Sequence, residues 1–131
     1  KLAEEKGMAV LLITHDLGVV GTISDRVEVM YAGKIVESGS VFSVIKSPQH
    51  PYTRQLLATV PDVERYGEEL HYIHGQVPDL SKPITGCAFY DRCDVATEGC
   101  RQPVPKVRAG EQTIYCHQPW QQQETAKEAT C

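Results

Sequence analysis

Long hydrophobic runs are missing from this chain. Met8 to Ile13 is the longest, far short of the ~20 apolar residues that a membrane-spanning helix requires. The start carries no basic stretch followed by an apolar segment and a small-residue cleavage site. No secretion signal is therefore legible, and a cytoplasmic setting is expected, in which thiols stay reduced. Positive charge is not in surplus either: 13 Lys and Arg stand against 17 Asp and Glu, for a net charge of −4. That balance argues against a nucleic-acid partner held by general electrostatics. There is no internal repeat and no C-x-x-C pair. The first residue is Lys1 rather than Met, so processing or a longer parent chain is expected.

What is present divides at about residue 61. The 131 residues suffice for one ordinary domain or two small pieces. Residues 1–60 alternate helix and strand. KLAEEKG reads as the end of a helix stopped by Gly7. MAVLLIT, residues 8–14, is a continuous apolar run, as in a strand buried on both faces. Asp16 can cap a helix over Leu17 to Ile23. DRVEVMYAGKIVESGS then reads as a hairpin turning at Ala32-Gly33. Ser40 can cap a further helix, Pro48 breaks it, and Pro51 suits the first turn of PYTRQLLATV.

Residues 61–120 have a different texture, with six prolines and four clustered cysteines. Burial alone equips this tract poorly for a core, so a covalent or metal staple is expected to order it. Residues 121–131 are polar and expected to be disordered.

His15 follows the apolar run directly. In open α/β sheets the C-terminal edge of such a strand is where ligands bind. A histidine there can donate to a phosphate or order a water; it can equally cap the strand end. The order strand, ITHDL, then DRVEVMYAGKIVESG resembles the end of the nucleotide-binding domain of ABC transporters. The matching hairpin residues are Asp25, Arg26, Val27, Val29, Met30, Tyr31, Gly33, Lys34, Ile35, Val36, Glu37 and Gly39. His50-Pro51-Tyr52 and the helix after it resemble the oligopeptide/dipeptide importer branch, and the likeness runs from about residue 1 to residue 118.

This resemblance implies an ATPase using ATP and magnesium, with His15 at the γ-phosphate. It implies a second ABC ATPase subunit and membrane permease subunits as partners. The location it implies is cytoplasmic, peripheral on the inner membrane face. The family's phosphate loop (G-x-x-x-x-G-K-S/T), signature motif and Walker B strand do not occur in this sequence. The chain is thus expected to be the C-terminal third of such a subunit, inactive as an ATPase alone. Without its sheet neighbours, the 8–14 strand is expected to be exposed and to drive self-association.

The cysteines are spaced Cys87-x5-Cys93-x6-Cys100-x15-Cys116. Disulfides need an oxidising compartment, and structural zinc favours tighter pairs. An iron–sulfur cluster tolerates wider loops. Gly86 and Gly99 relax the backbone beside two of the cysteines, and Pro83, Pro103 and Pro105 stiffen the approaches. Spacing leaves iron–sulfur and zinc both open. The run Gly86, Cys87, Phe89, Arg92, Cys93, Cys100, Pro105 and Cys116 also resembles the C-terminal extension of peptide-importer ATPases. That resemblance implies a [4Fe–4S] cluster on the four cysteines. Arg92 could offset thiolate charge or simply be solvated. Cys131 lies outside the pattern, and His71, His74 and His117 read as ordinary surface histidines.

The expected architecture is α/β: residues 1–60 as the end of an ABC nucleotide-binding domain, residues 61–120 as a small, loop-rich, metal-stapled extension, and residues 121–131 as a tail. The rival expectation is a free-standing metal-binding interaction module.

Overall fold

The computed structural model describes residues 5–60 and 72–120. The tail from residue 121, Cys131 and His71 lie outside the described residues.

Asp16 caps helix α1 (Leu17–Ile23), its Oδ1 accepting the Gly18 and Val19 N–H groups at 2.9 and 3.1 Å. This satisfies two of the donors that a helix start leaves unpaired. Strands β1 (Arg26–Tyr31) and β2 (Lys34–Ser40) form the expected hairpin, with Tyr31 opposite Lys34 and an irregularity between Val29 and Met30. The turn uses positive φ at both Ala32 (49°) and Gly33 (75°), matching the twist of a two-residue hairpin loop. Ser40 caps α2 (Val41–Lys46), and His50 caps α3 (Pro51–Ala58), with Pro51 in its first turn.

The sheet does not stop at the change in texture near residue 61. Strands β3 (Lys106–Ala109) and β4 (Gln112–Tyr115) join it, giving a four-stranded antiparallel sheet in the order β1-β2-β4-β3. Glu37 pairs with Ile114 and Ser38 with Thr113. The core is shared in the same way: Val29, Tyr31, Val36 and Val44 pack with Phe89. Burial thus contributes more order to residues 72–120 than composition suggested, because two short strands borrow a sheet edge that already exists.

One expectation is corrected. Residues 8–14 form no strand, and all are exposed. Leu11 and Ile13 are each 89% exposed. A run this apolar takes up strand pairing only where a neighbouring strand meets its N–H and C=O groups, and none of the described residues does so.

Candidate functional site

Three neighbourhoods carry the residues singled out from the sequence. The first is His15, which sits between the bare apolar segment and α1. The Asp16 N–H donates to Thr14 Oγ1 at 3.0 Å, and the Asp16 carboxylate is occupied in capping α1. The turn is thereby fixed from both sides, and the His15 ring stands exposed at its apex.

The second neighbourhood surrounds His50-Pro51-Tyr52. Glu37 on β2 is fully buried, and its carboxylate accepts the Gln49 and His50 N–H groups at 2.9 Å each and Gln112 Nε2 at 3.2 Å. Burial pushes the Glu37 carboxyl up from its usual range, and the His50 and Gln49 N–H groups work against that rise. One carboxylate therefore ties β2 to the start of α3 and to β4. His50 Nδ1 accepts the Tyr52 N–H at 3.0 Å, which leaves the ring proton on Nε2. Desolvation lowers the His50 pKa to about 4, so the ring is neutral at physiological pH. Tyr52 completes a cluster with Tyr31 and Phe89, with ring centroids 4.7 to 5.3 Å apart. Hydropathy pattern alone does not mark Glu37 as a latch; the one available signal was a carboxylate set among apolar strand residues.

The third neighbourhood holds the four cysteines, which approach one another in space. The loops bearing Cys87 and Cys100 lie back to back: the Cys87 N–H donates to the Cys100 carbonyl at 2.9 Å. A Cβ on Gly86 would fall 2.6 Å from that carbonyl oxygen, so only glycine fits there. Cys93 closes the 3-10 turn Tyr90–Arg92, and Cys100 lies in the 3-10 turn Glu98–Arg101. Cys116 follows β4, and its Sγ accepts the Gln118 N–H at 3.2 Å. Backbone N–H groups of Phe89 and Tyr90 face the Cys87 sulfur, and that of Val95 faces Cys93.

All four are free thiols. Burial, then repulsion from neighbouring sulfurs, pushes Cys87 up and Cys116 to about 12; burial, then the Asp94 carboxylate and the neighbouring sulfurs, pushes Cys93 to about 11. Cys87, Cys93 and Cys116 cannot ionise together without a cation to compensate them. The donor set thus suits a thiolate-held metal, with backbone N–H groups turned towards the sulfurs. The geometry is less complete. Among the described residues no three His, Cys, Asp or Glu side chains converge closely enough to hold a metal ion. The expected metal staple is therefore not supported by the positions of these side chains.

The histidines near these cysteines are engaged elsewhere. His74 stacks on Tyr72 at 4.1 Å, and His117 Nε2 lies 3.3 Å from the Gln102 carbonyl. Arg92 is not a solvated side chain; it donates to two backbone carbonyls and to the Tyr31 hydroxyl. Sequence reasoning missed that role, since no local pattern marks an acceptor supplied from eighteen residues away.

Comparison with known proteins bears on both halves of the chain. Residues 36–100, which take in Glu37, His50-Pro51-Tyr52 and three of the cysteines, match the family described as Oligopeptide/dipeptide transporter, C-terminal region. This region belongs to that family. The dipeptide transport ATP-binding protein DppD of Bacillus subtilis is 41% identical over 131 residues, covering 98% of this chain and 38% of the relative. DppD of Haemophilus influenzae is 39% identical over 124 residues, covering 94% of this chain and 38% of the relative. A Brucella ovis protein named for peptide import and ATP binding is 50% identical over 113 residues, covering 82% of this chain and 33% of the relative. The chain spans about a third of the length of the curated relatives it matches, and corresponds to the C-terminal part of an ABC-type ATP-binding subunit.

Proposed function

We propose that this chain forms the C-terminal part of the ATPase that powers peptide import through an ABC transporter. In that role it works with a second ATPase subunit and with membrane permease subunits, on the cytoplasmic face of the inner membrane. Among the described residues no helix is long and apolar enough to cross a membrane, which agrees with a peripheral subunit. The observation that carries the reading is the exposed His15 on a turn locked by Thr14 and Asp16, at the end of an apolar segment that has no sheet neighbour among the described residues.

ATP with magnesium is the cofactor of this role, and the chain brings one residue to it. An imidazole N–H from His15 reaches the γ-phosphate, and the capped turn fixes its direction. The sequence holds no glycine-rich phosphate loop, so the chain alone does not hydrolyse ATP. In the assembled importer, His15→Ala is expected to abolish ATP-driven peptide uptake while leaving assembly intact. Uptake at the parental rate would overturn the assignment, as would magnesium-dependent turnover by the chain alone.

The four cysteines Cys87, Cys93, Cys100 and Cys116 hold a [4Fe–4S] cluster, with zinc as the alternative occupant. Their shared thiol chemistry, their mutual electrostatic reach and the N–H groups facing their sulfurs support this. The group's contribution is structural: it ties the 87–100 loops to the end of β4. An anaerobic visible spectrum with iron, sulfide and zinc analysis tests it. A broad brown band with iron supports the cluster, and a colourless zinc protein replaces it with the alternative. A protein binding neither would remove the metal role.

A further inference from the structure

The two turns that carry Cys87 and Cys100 meet backbone to backbone. The Cys87 N–H donates to the Cys100 carbonyl at 2.9 Å. With standard bond lengths on either side of that hydrogen bond, the two Cα atoms lie no more than about 6.8 Å apart. A disulfide joins Cα atoms about 4.4–6.8 Å apart. The neighbouring residues tighten the contact: a Cβ on Gly86 would fall 2.6 Å from the Cys100 carbonyl oxygen and 2.7 Å from that of Arg101. The two sulfurs are within electrostatic reach, since Cys100 is among the groups that raise the Cys87 thiol. Among the described residues no other two cysteines are joined by a backbone hydrogen bond.

Their surroundings give the two thiols different parts. Cys87 is half-buried, whereas Cys100 is only 7% exposed. The Phe89 and Tyr90 N–H groups face the Cys87 sulfur, and the Lys34 ammonium lies within reach of it. Each of these favours a thiolate, the form that attacks a disulfide. Burial outweighs them and holds the Cys87 thiol above its usual range, so thiolate is scarce and exchange is slow. That rate suits a staple rather than a catalytic dithiol.

We propose that Cys87 and Cys100 form a redox pair, closed into an intramolecular disulfide by exchange with a low-molecular-weight disulfide. Cys87, its proton released to solvent, attacks one sulfur of the small disulfide and expels one thiolate. Cys100, also deprotonated, then attacks the Cys87 sulfur of the mixed disulfide and expels the second. The protein loses two electrons and two protons, and the small disulfide leaves as two thiols. The new bond is the covalent form of the staple expected for this proline-rich tract. It does not depend on metal binding, and the two states exclude each other, because a sulfur in an S–S bond is no longer a thiolate ligand. In a reducing cytoplasm such a bond is transient and redox-sensing.

The test incubates the full chain, reduced and freed of metal by a chelator, in glutathione buffers of rising oxidised fraction until the products stop changing. Free thiols are then alkylated, and digestion with trypsin and Glu-C places each of the five cysteines on its own peptide. Mass spectrometry is expected to find the Cys87–Cys100 link as the main intramolecular product, with alkylation lost at both residues together. Cys100→Ser should stop at glutathione on Cys87, whereas Cys87→Ser should leave Cys100 a free thiol. In urea the preference should move to Cys87–Cys93 and Cys93–Cys100, since an unfolded chain closes short loops at the least entropic cost. A main product joining any other pair in the folded chain would overturn the proposal. So would glutathione adducts without the Cys87–Cys100 link, or thiols that all persist at the most oxidising ratio. The same links in buffer and in urea would also overturn it, a comparison that needs no variant to fold. Metal analysis of the untreated chain tests the metal reading separately, and its failure leaves the pair standing.

Discussion

Leu11 and Ile13 are 89% exposed, whereas Phe89 and Ile114 are wholly buried. Phe89 is buried from a turn, against the aromatic cluster, but Ile13 and Ile114 are the same residue type, so hydrophobicity does not separate those two. Sheet partners do. Ile114 lies on β4 opposite Glu37 and Val107, within a sheet whose strands come from both halves of the chain. The 8–14 segment has no such neighbour among the described residues. The comparison separates two kinds of order in one chain: a rear portion that completes its own core, and a front portion that presents a surface still to be covered.

The sharpest way to test that separation is at the centre of the rear core. Phe89→Ala removes the ring that meets Tyr31, Tyr52 and His50. Emptying such a site costs about 3–5 kcal/mol. Urea denaturation is expected to register a loss of that size, and a change below about 1 kcal/mol would mean that the aromatic cluster is not the fold's centre.

A pH test addresses the same core. The His50 pKa is about 4 in the fold against an ordinary 6.5, so the unfolded chain takes up its proton first as pH falls. The stability due to neutral His50 is therefore complete above pH 6.5 and is lost as pH falls through about 4. The shift corresponds to a loss on the order of 3 kcal/mol. Glu37 acts in the opposite sense: its carboxyl is raised, so the fold binds that proton more readily and gains as pH falls. His50→Asn isolates the histidine, since asparagine can still cap α3. The variant should lose markedly less stability than the parent between pH 6.5 and 4; parallel curves would refute the assignment.

Glu37→Gln should cost less. The side-chain oxygen can still accept at one position, but the new NH2 faces a donor at the other, either the Gln49 or the His50 N–H. An unsatisfied buried donor costs about 1–3 kcal/mol. The expected loss in urea lies in that range, with the hairpin retained and α3 loosened in hydrogen exchange.

These sites differ in how far the sequence announced them. The α1 cap at Asp16, the Ala32-Gly33 turn and Pro51 in the first turn of α3 were legible because each depends on residues within one turn of the chain. The placement of β3 and β4 was not, since Glu37 and Ile114 are brought together across 77 positions. The same holds for Arg92, whose carbonyl acceptors come from His74 and Ile73. Cysteine spacing marked the four thiols, yet it carried no information on how closely their turns would converge.

The smallest expected effect on stability falls on the front portion, and it is the one that tests the comparison from the other side. Leu11→Lys with Ile13→Lys changes two side chains that touch almost nothing, so urea stability should move by no more than about 0.5 kcal/mol. Association should respond instead. An exposed apolar segment with no strand partner among the described residues invites pairing with another copy, and lysine on such an edge opposes it. Light scattering across a concentration series is expected to find the parent self-associating and the double variant monomeric. A parent that stays monomeric at high concentration would mean that this segment is not an open sheet edge. A stability loss of several kcal/mol would mean that it is part of the rear core after all. If association disappears while stability holds, the apolar run is an open docking edge, separate from the rear core.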